Sequence, residues 1–169
     1  MIDFETKKVL FIDLDGTLIK TISGKTFPED ITDFRIQLPV LNKIVEKLPN
    51  IDSFYIVTNQ GGIGKFITKQ DFQTKLFSIE QFCRLYIGKT IDLCFYGGYY
   101  CISTDKNDHN RKPNTGLLEE ACKDSDVTKL EMIMIGDASG KPGDFSDSDK
   151  KCAENFGIDY IDVRDFLEL

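Results

Sequence analysis

The chain has no apolar stretch approaching the ~20 residues needed to cross a bilayer, so no membrane partner is expected. Its opening run, Met1-Ile2-Asp3-Phe4-Glu5-Thr6-Lys7-Lys8, lacks the basic-then-apolar order of a signal peptide. The five cysteines, Cys83, Cys94, Cys101, Cys122 and Cys152, form no C-x-x-C pair, and their number is odd. Scattered thiols without an export signal argue against a disulfide framework. They point to a soluble intracellular protein, nuclear or cytoplasmic rather than secreted. Positive charge is scarce: 21 Lys and Arg stand against 28 Asp and Glu, a net charge of −7. That balance disfavours broad, non-specific binding to a phosphate backbone, although a local basic groove is compatible with it. There is no internal repeat, no low-complexity tract and no linker. What remains is 169 residues, 41% hydrophobic and 29% charged. That is enough for one α/β domain over residues 1–169 with a proper core.

Strand signals fall at Val9–Asp13, Phe54–Thr58, Leu93–Tyr96 and Met132–Gly136, with a weaker one at Tyr160–Val163. Between them the spacing predicts helices over Pro39–Leu48, Thr68–Tyr86, Thr115–Lys123 and Ser148–Asn155. Pro39 suits a first turn, and Gly157 suits a helix stop. Strand and helix alternating in this way predict a doubly wound, mostly parallel, Rossmann-like α/β sheet with helices on both faces. Two polar stretches break the pattern, Ile19–Leu38 and Gly97–Pro113. Loops of that length inside a compact domain are usually functional or disordered.

The chemistry is concentrated where apolar runs end. Val9-Leu10-Phe11-Ile12 leads into Asp13-Leu14-Asp15-Gly16-Thr17. Residues i and i+2 of a strand point the same way, so both carboxylates can reach the crevice beyond the strand's C-terminal end, where open α/β sheets bind ligands. Two such close carboxylates need a cation or a shared proton, and a hard dication such as Mg²⁺ meets that need. Thr58-Asn59-Gln60 closes the second strand and runs into Gly61-Gly62-Ile63-Gly64, which is either a phosphate cradle or a glycine-rich turn. Gly64-Lys65 is not a phosphate-loop kinase signature: the first required Gly is Asn59, and Phe66 follows the Lys. Lys112, in Arg111-Lys112-Pro113, offers a cation for a transferring phosphoryl group. Met132-Ile133-Met134-Ile135-Gly136 ends in Asp137, with Asp144, Asp147 and Asp149 beyond. Asp137 can complete an oxygen-rich cation site with Asp13, while Asp147 reads as a solvated loop acid.

In this order the motifs resemble the haloacid dehalogenase-like hydrolase superfamily, over nearly the whole chain. Longer stretches resemble its polynucleotide 3'-phosphatases. These are Asp13 to Leu18 with Ser23-Gly24-Lys25-Thr26-Phe27-Pro28, Thr58-Asn59-Gln60 with Gly62-Ile63-Gly64, and Arg111 to Gly116. A fourth runs from Gly136 to Pro142 and on into Asp144-Phe145-Ser146 and Asp149. Asp33-Phe34-Arg35 stands where that family tends to have Asp-Trp-Arg.

The resemblance implies a Mg²⁺-dependent phosphomonoesterase that removes 3'-phosphate from DNA ends. Asp13 would be the nucleophile, forming an aspartyl-phosphate. Asp15 would act as general acid and then base, with its backbone carbonyl on the metal. Thr58 would hydrogen-bond the phosphoryl oxygens, and Lys112 would stabilise their charge. Asp137 would bind Mg²⁺, supported by Asp149. No large cap domain is expected at either insertion point. Lys25, Arg35, Lys65, Arg111 and Lys141 could rim an open site. Asn59 is placed with Lys25, Phe34, Arg35 and Arg111 in substrate binding, and Phe27 or Phe34 could stack on a terminal base. A 5'-kinase or a ligase would be a separate partner. The alternative is a small-molecule phosphatase of the histidinol-phosphate or heptose-bisphosphate type. Those commonly carry a zinc loop before Arg-Lys-Pro, where this chain has only Cys101 and His109.

Overall fold

The computed structural model describes residues 2–25, 28 and 30–169. Strand β1 (Val9–Ile12) is buried along its whole length, as expected of a central strand in a covered parallel sheet. Two short strands, β2 (Ile19–Lys20) and β3 (Arg35–Ile36), pair antiparallel and form a small flap after it. Helix α1 (Leu38–Lys47) leads to β4 (Ser53–Asn59), and helix α2 (Lys69–Ile87) to β5 (Phe95–Cys101). Then come α3 (Gly116–Ala121), β6 (Met132–Gly136), α4 (Ser148–Phe156), β7 (Asp159–Asp162) and α5 (Val163–Leu167). The main sheet is parallel, in the order β5-β4-β1-β6-β7.

The alternation of side chains along each strand builds two cores. Leu10 and Ile12 of β1, Phe54 and Ile56 of β4, and Ile133 and Ile135 of β6 pack against α1, α2 and Phe166 of α5. Val9, Phe11, Tyr55, Val57, Met132 and Met134 point the other way, onto Leu117, Leu118 and Ala121 of α3 and Cys152, Ala153 and Phe156 of α4. Helices therefore cover both faces, as the alternation predicts. Thr68 caps α2 by accepting from the Asp71 amide. Gly157, at φ +82°, closes α4 in the left-handed region.

Four local differences have physical causes. The third strand signal ended at Tyr96, before Gly97-Gly98, yet β5 continues to Cys101. A Cβ at Gly98 would lie 2.3 Å from Glu80 Oε1 and 2.8 Å from Leu76 Cδ2. These glycines thus let α2 approach the strand rather than turn the chain. The Ile19–Leu38 stretch is not wholly irregular, because Ile19 pairs with Ile36 and Lys20 with Arg35; two-residue strands leave no periodicity to read. The last strand stops at Asp162, whose side chain accepts from the Arg164 amide and starts α5, so Val163 is helical. Helix α3 ends at Ala121, short of Lys123. Among the described residues the flap holds no folded cap domain, and no helix is long and apolar enough to cross a membrane.

Candidate active site

Strands β4, β1 and β6 are adjacent, and each presents polar groups at its C-terminal end. In register, Ile12 lies between Ile56 and Ile135, and the Asp13 amide donates to Ile135 O at 2.9 Å. Asp13 is thereby held at the centre, with Thr58 on one side and Asp137 on the other.

The Lys112 ammonium is the hub. It donates to Asp13 Oδ1 at 2.6 Å, Asp149 Oδ1 at 2.7 Å and Val57 O at 2.8 Å, which uses all three of its donors. Both Lys112 and Asp149 are almost fully buried. Asp149 Oδ2 accepts from the Ala138 amide at 3.1 Å, so this acid also fixes the backbone just past Asp137. Asn59 clamps the backbone of Lys112 from both sides: its Nδ2 donates to Lys112 O, and its Oδ1 accepts from Lys112 N, each at 2.9 Å. The Lys112-Pro113 peptide bond is cis.

Carboxylate oxygens of Asp13, Asp137 and Asp149 lie within 4.8 Å of one another and could hold a metal ion. One ammonium faces three carboxylates there, which leaves excess negative charge in a largely buried space. Burial pushes the Asp13 carboxyl well above the ordinary carboxylate range. Lys112 pulls it down, and Asp149 and Asp137 push it further up. Burial and Asp149 likewise push Asp137 up to about 6, against the pull of Lys112. Burial disfavours the Lys112 ammonium, yet Asp13 and Asp149 outweigh it and hold its pKa above the ordinary lysine value. A hard, oxygen-seeking dication fits this donor set and its charge.

Asp15 does not join the cluster through its carboxylate. Strand β1 ends at Ile12 and the chain turns, with Asp15 bridging to Ile19. The i, i+2 expectation of two carboxylates on one cation is corrected accordingly. Asp15 Oδ2 accepts instead from Gln60 Nε2 at 2.6 Å, and the same Nε2 donates to Thr58 Oγ1 at 3.0 Å. Thr58 is buried and keeps its own hydroxyl proton to donate. Gln60 was not singled out from the sequence, although its position two residues beyond Thr58 at a strand end was a usable signal.

The expected substrate contacts are more scattered. Asn59 is committed to Lys112. Arg111 is half-buried: its Nη1 donates to Ser103 O at 2.6 Å and lies 3.6 Å from where a Cβ on Gly61 would stand, beside the Thr58–Gly64 loop. Lys25, Arg35 and Lys65 are exposed, the first two on the flap. Phe34 is half-buried and packs against the core. Lys141 is turned away from any rim, onto α5, with Asp165 at 2.7 Å and Asp162 at 3.7 Å. Phe27 lies outside the described residues. His109 Nε2 pairs with Glu119 at 3.0 Å, and Cys101 closes β5.

A model of the family described as polynucleotide kinase 3 phosphatase matches residues 8–166. A bifunctional polynucleotide phosphatase/kinase of Schizosaccharomyces pombe is 38% identical over 167 residues, covering 96% of this chain and 38% of that protein. The chain thus spans well under half the length of that relative. An uncharacterized 20.8 kDa protein of Autographa californica nuclear polyhedrosis virus is 29% identical over 170 residues, covering 96% of this chain and 86% of that protein. Among solved structures, the D,D-heptose 1,7-bisphosphate phosphatase from B. bronchiseptica, complexed with magnesium and phosphate, matches with a TM-score of 0.61 at 17% identity, covering 95% of this chain and 96% of that one. The family model and the 38% identical relative agree: the chain belongs to the polynucleotide kinase 3 phosphatase family.

Proposed function

We propose that this phosphatase is a Mg²⁺-dependent phosphomonoesterase that removes 3'-phosphate from DNA ends through an aspartyl-phosphate on Asp13. The observation that carries the reading is the buried Asp13 carboxylate, bonded to Lys112 and flanked by Asp137 and Asp149. The family match and the S. pombe relative support the polynucleotide substrate. The small flap supports it too, since a site over which the described residues form no folded lid admits a chain end.

In the first half-reaction a carboxylate oxygen of Asp13 attacks phosphorus, and the bond from phosphorus to the 3' oxygen breaks. Asp15, protonated at the outset, gives its proton to the departing alkoxide. Its Oδ2 is held by Gln60, and its other oxygen has no protein partner among the described residues. In the second half-reaction a water attacks the same phosphorus and passes its proton to Asp15. The bond to Asp13 breaks, inorganic phosphate leaves, and both acids return to their starting states. Thr58 donates its hydroxyl proton to a phosphoryl oxygen, and Lys112 balances the charge that collects between Asp13 and phosphorus.

Asp13, Asp137 and the Asp15 backbone carbonyl would hold Mg²⁺, with Asp149 orienting Lys112 and the Ala138 amide behind them. When bound, the ion offsets the repulsion between a carboxylate nucleophile and a phosphate dianion. The product 3'-hydroxyl suits a polymerase or ligase, and a 5'-kinase activity would complete the repair of both ends.

The test is phosphate release with Mg²⁺ from a 3'-phosphorylated oligonucleotide, its 5'-phosphorylated counterpart and histidinol phosphate. Selective release from the 3' end is expected. Release mainly from histidinol phosphate would overturn the substrate assignment and leave the chemistry on Asp13 in place.

A further inference from the structure

Helix α2 turns Phe72, Lys75, Leu76, Ile79 and Cys83 into the protein. All but one are apolar. Lys75 is only 4% exposed, and among the described residues its ammonium makes no hydrogen bond and no ion pair. Its close partner is the Phe34 ring of the flap, with Nζ 4.9 Å from the centroid. An ammonium carries three donors, and burying one unpaired is costly. A contact with a phenyl face offsets only part of that cost.

The carboxylates whose charge acts on Lys75 all have other partners. The three that act on Lys75 most strongly are Asp15, then Asp33, then Asp30. Asp15 receives Gln60, Asp33 receives the Ser23 amide and hydroxyl at 2.7 Å each, and Asp30 receives Thr32. Lys75 therefore lies against the flap at Phe34 and within electrostatic reach of Asp15, its donors unspent among the described residues. Among the described residues, the side-chain atoms sealed from solvent without a partner are Thr17 Oγ1 and Gln37 Nε2; Lys75 Nζ is not among them, so it keeps an opening to solvent.

Asp15 is the acid on the leaving-group side in the mechanism above, so a cation whose field reaches it is suited to the part of the substrate that departs. A small monophosphate such as histidinol phosphate has no second anion to place there. A nucleic-acid strand has one, the phosphodiester that joins the terminal nucleoside to the rest of the chain.

We propose that the Lys75 ammonium, buried beneath Phe34 and within electrostatic reach of Asp15, receives the internucleotide phosphate next to the 3'-terminal nucleoside and so selects polymer ends over small monophosphates. The inference rests on the 3'-end reading given above. It makes Lys75 a specificity-determining residue, and it gives Phe34 the part of a lid that must yield as the strand enters.

The experiment alters the substrate first. A 3'-phosphorylated oligonucleotide is prepared with its last internucleotide linkage either as phosphodiester or as uncharged methylphosphonate. Both are assayed with the wild type, Lys75→Met and Lys75→Arg. The wild type is expected to lose about tenfold or more in kcat/KM on the neutral linkage, in line with one charge-assisted hydrogen bond, and mainly through KM. Lys75→Met should show that same loss on the phosphodiester and no longer distinguish the two linkages, while Lys75→Arg should recover most of the discrimination. A wild type that treats both linkages alike would overturn the inference, and this arm needs no variant to fold. Equal further losses by Lys75→Met on both linkages would overturn it as well. A wild type inactive on every 3'-phosphorylated oligonucleotide would overturn the 3'-end reading and this inference together.

Discussion

Gly16→Ala separates metal binding from folding. Gly16 has φ +87°, and a Cβ built there lies 2.0 Å from Asp137 Oδ2, 2.8 Å from its Cγ and 3.4 Å from Oδ1. No contact of 2.0 Å survives, so something must move. The obstacle is the end of a short side chain rather than backbone, and the Asp137 carboxylate can swing away. Folding then loses chiefly the cost of an L-residue in the left-handed region, about 1–2 kcal/mol. For a domain of this size that is a drop of about 2–8 °C in Tm. The displaced carboxylate is a proposed metal ligand, so the Mg²⁺ concentration for half-maximal phosphate release should rise at least about tenfold. Gly157→Ala is the matched control. Gly157 has φ +82°, its added Cβ meets nothing closer than Lys129 Cδ at 3.8 Å, and it caps α4. It should lose similar stability with no change in Mg²⁺ dependence. The assay is phosphate release against a Mg²⁺ titration, with thermal melts in parallel. If Gly16→Ala melts lower but keeps the wild-type Mg²⁺ requirement, Asp137 is not the ligand proposed.

Three further perturbations follow from the same geometry. Lys112→Met removes the cation between buried Asp13 and Asp149, so it should abolish turnover and destabilise the fold by roughly 3–5 kcal/mol in denaturant titrations; a stable, inactive variant would contradict the hub role. Gln60→Ala frees both Asp15 and Thr58, and kcat should fall about tenfold in steady-state assays with the melting temperature little changed, as for a group that orients a general acid. Arg164→Gln tests the loop behind Asp137. Arg164 bridges Asp144 and Asp162, whose hydrogen bonds hold Asp144 down to about 2 and Asp162 below the usual range. A depressed carboxyl pKa stabilises above the unfolded value near 4 and loses that contribution as pH falls through the folded value. The wild type should therefore lose this stability between about pH 4 and 2, and the variant should unfold at higher pH in an acid titration followed by circular dichroism.

How much of this was legible in the sequence depends on the range over which each signal acts. Asp13, Thr58 and Asp137 each follow an apolar run at a strand end, and that signature is local, so the parallel sheet and its C-terminal crevice could be read together. The relations among them are not local. Asn59 clamps Lys112 across 53 residues, Gln60 reaches Asp15 across 45, and Lys112 reaches Asp13 across 99. No period or spacing encodes such distances, and an Asn beside a glycine loop looks equally suited to touching substrate. The glycines misled for a related reason: Gly97-Gly98 has the composition of a turn, and only the approach of α2 reveals why a strand would tolerate it. Lys75 is the sharpest case. Apolar residues at Phe72, Leu76, Ile79 and Cys83 mark the buried face of α2, and Lys75 lies on that face. Helical periodicity treats a lysine as solvent-facing by default, and a single charge cannot override four apolar neighbours. What exposes it is an accounting of donors, since the carboxylates whose charge reaches it are already bonded elsewhere and the ammonium is left over. A buried cation that meets only an aromatic face, with no hydrogen bond or ion pair among the described residues, breaks the local rules of folding, and such violations are expected where a sequence has been shaped for a ligand rather than for its own stability.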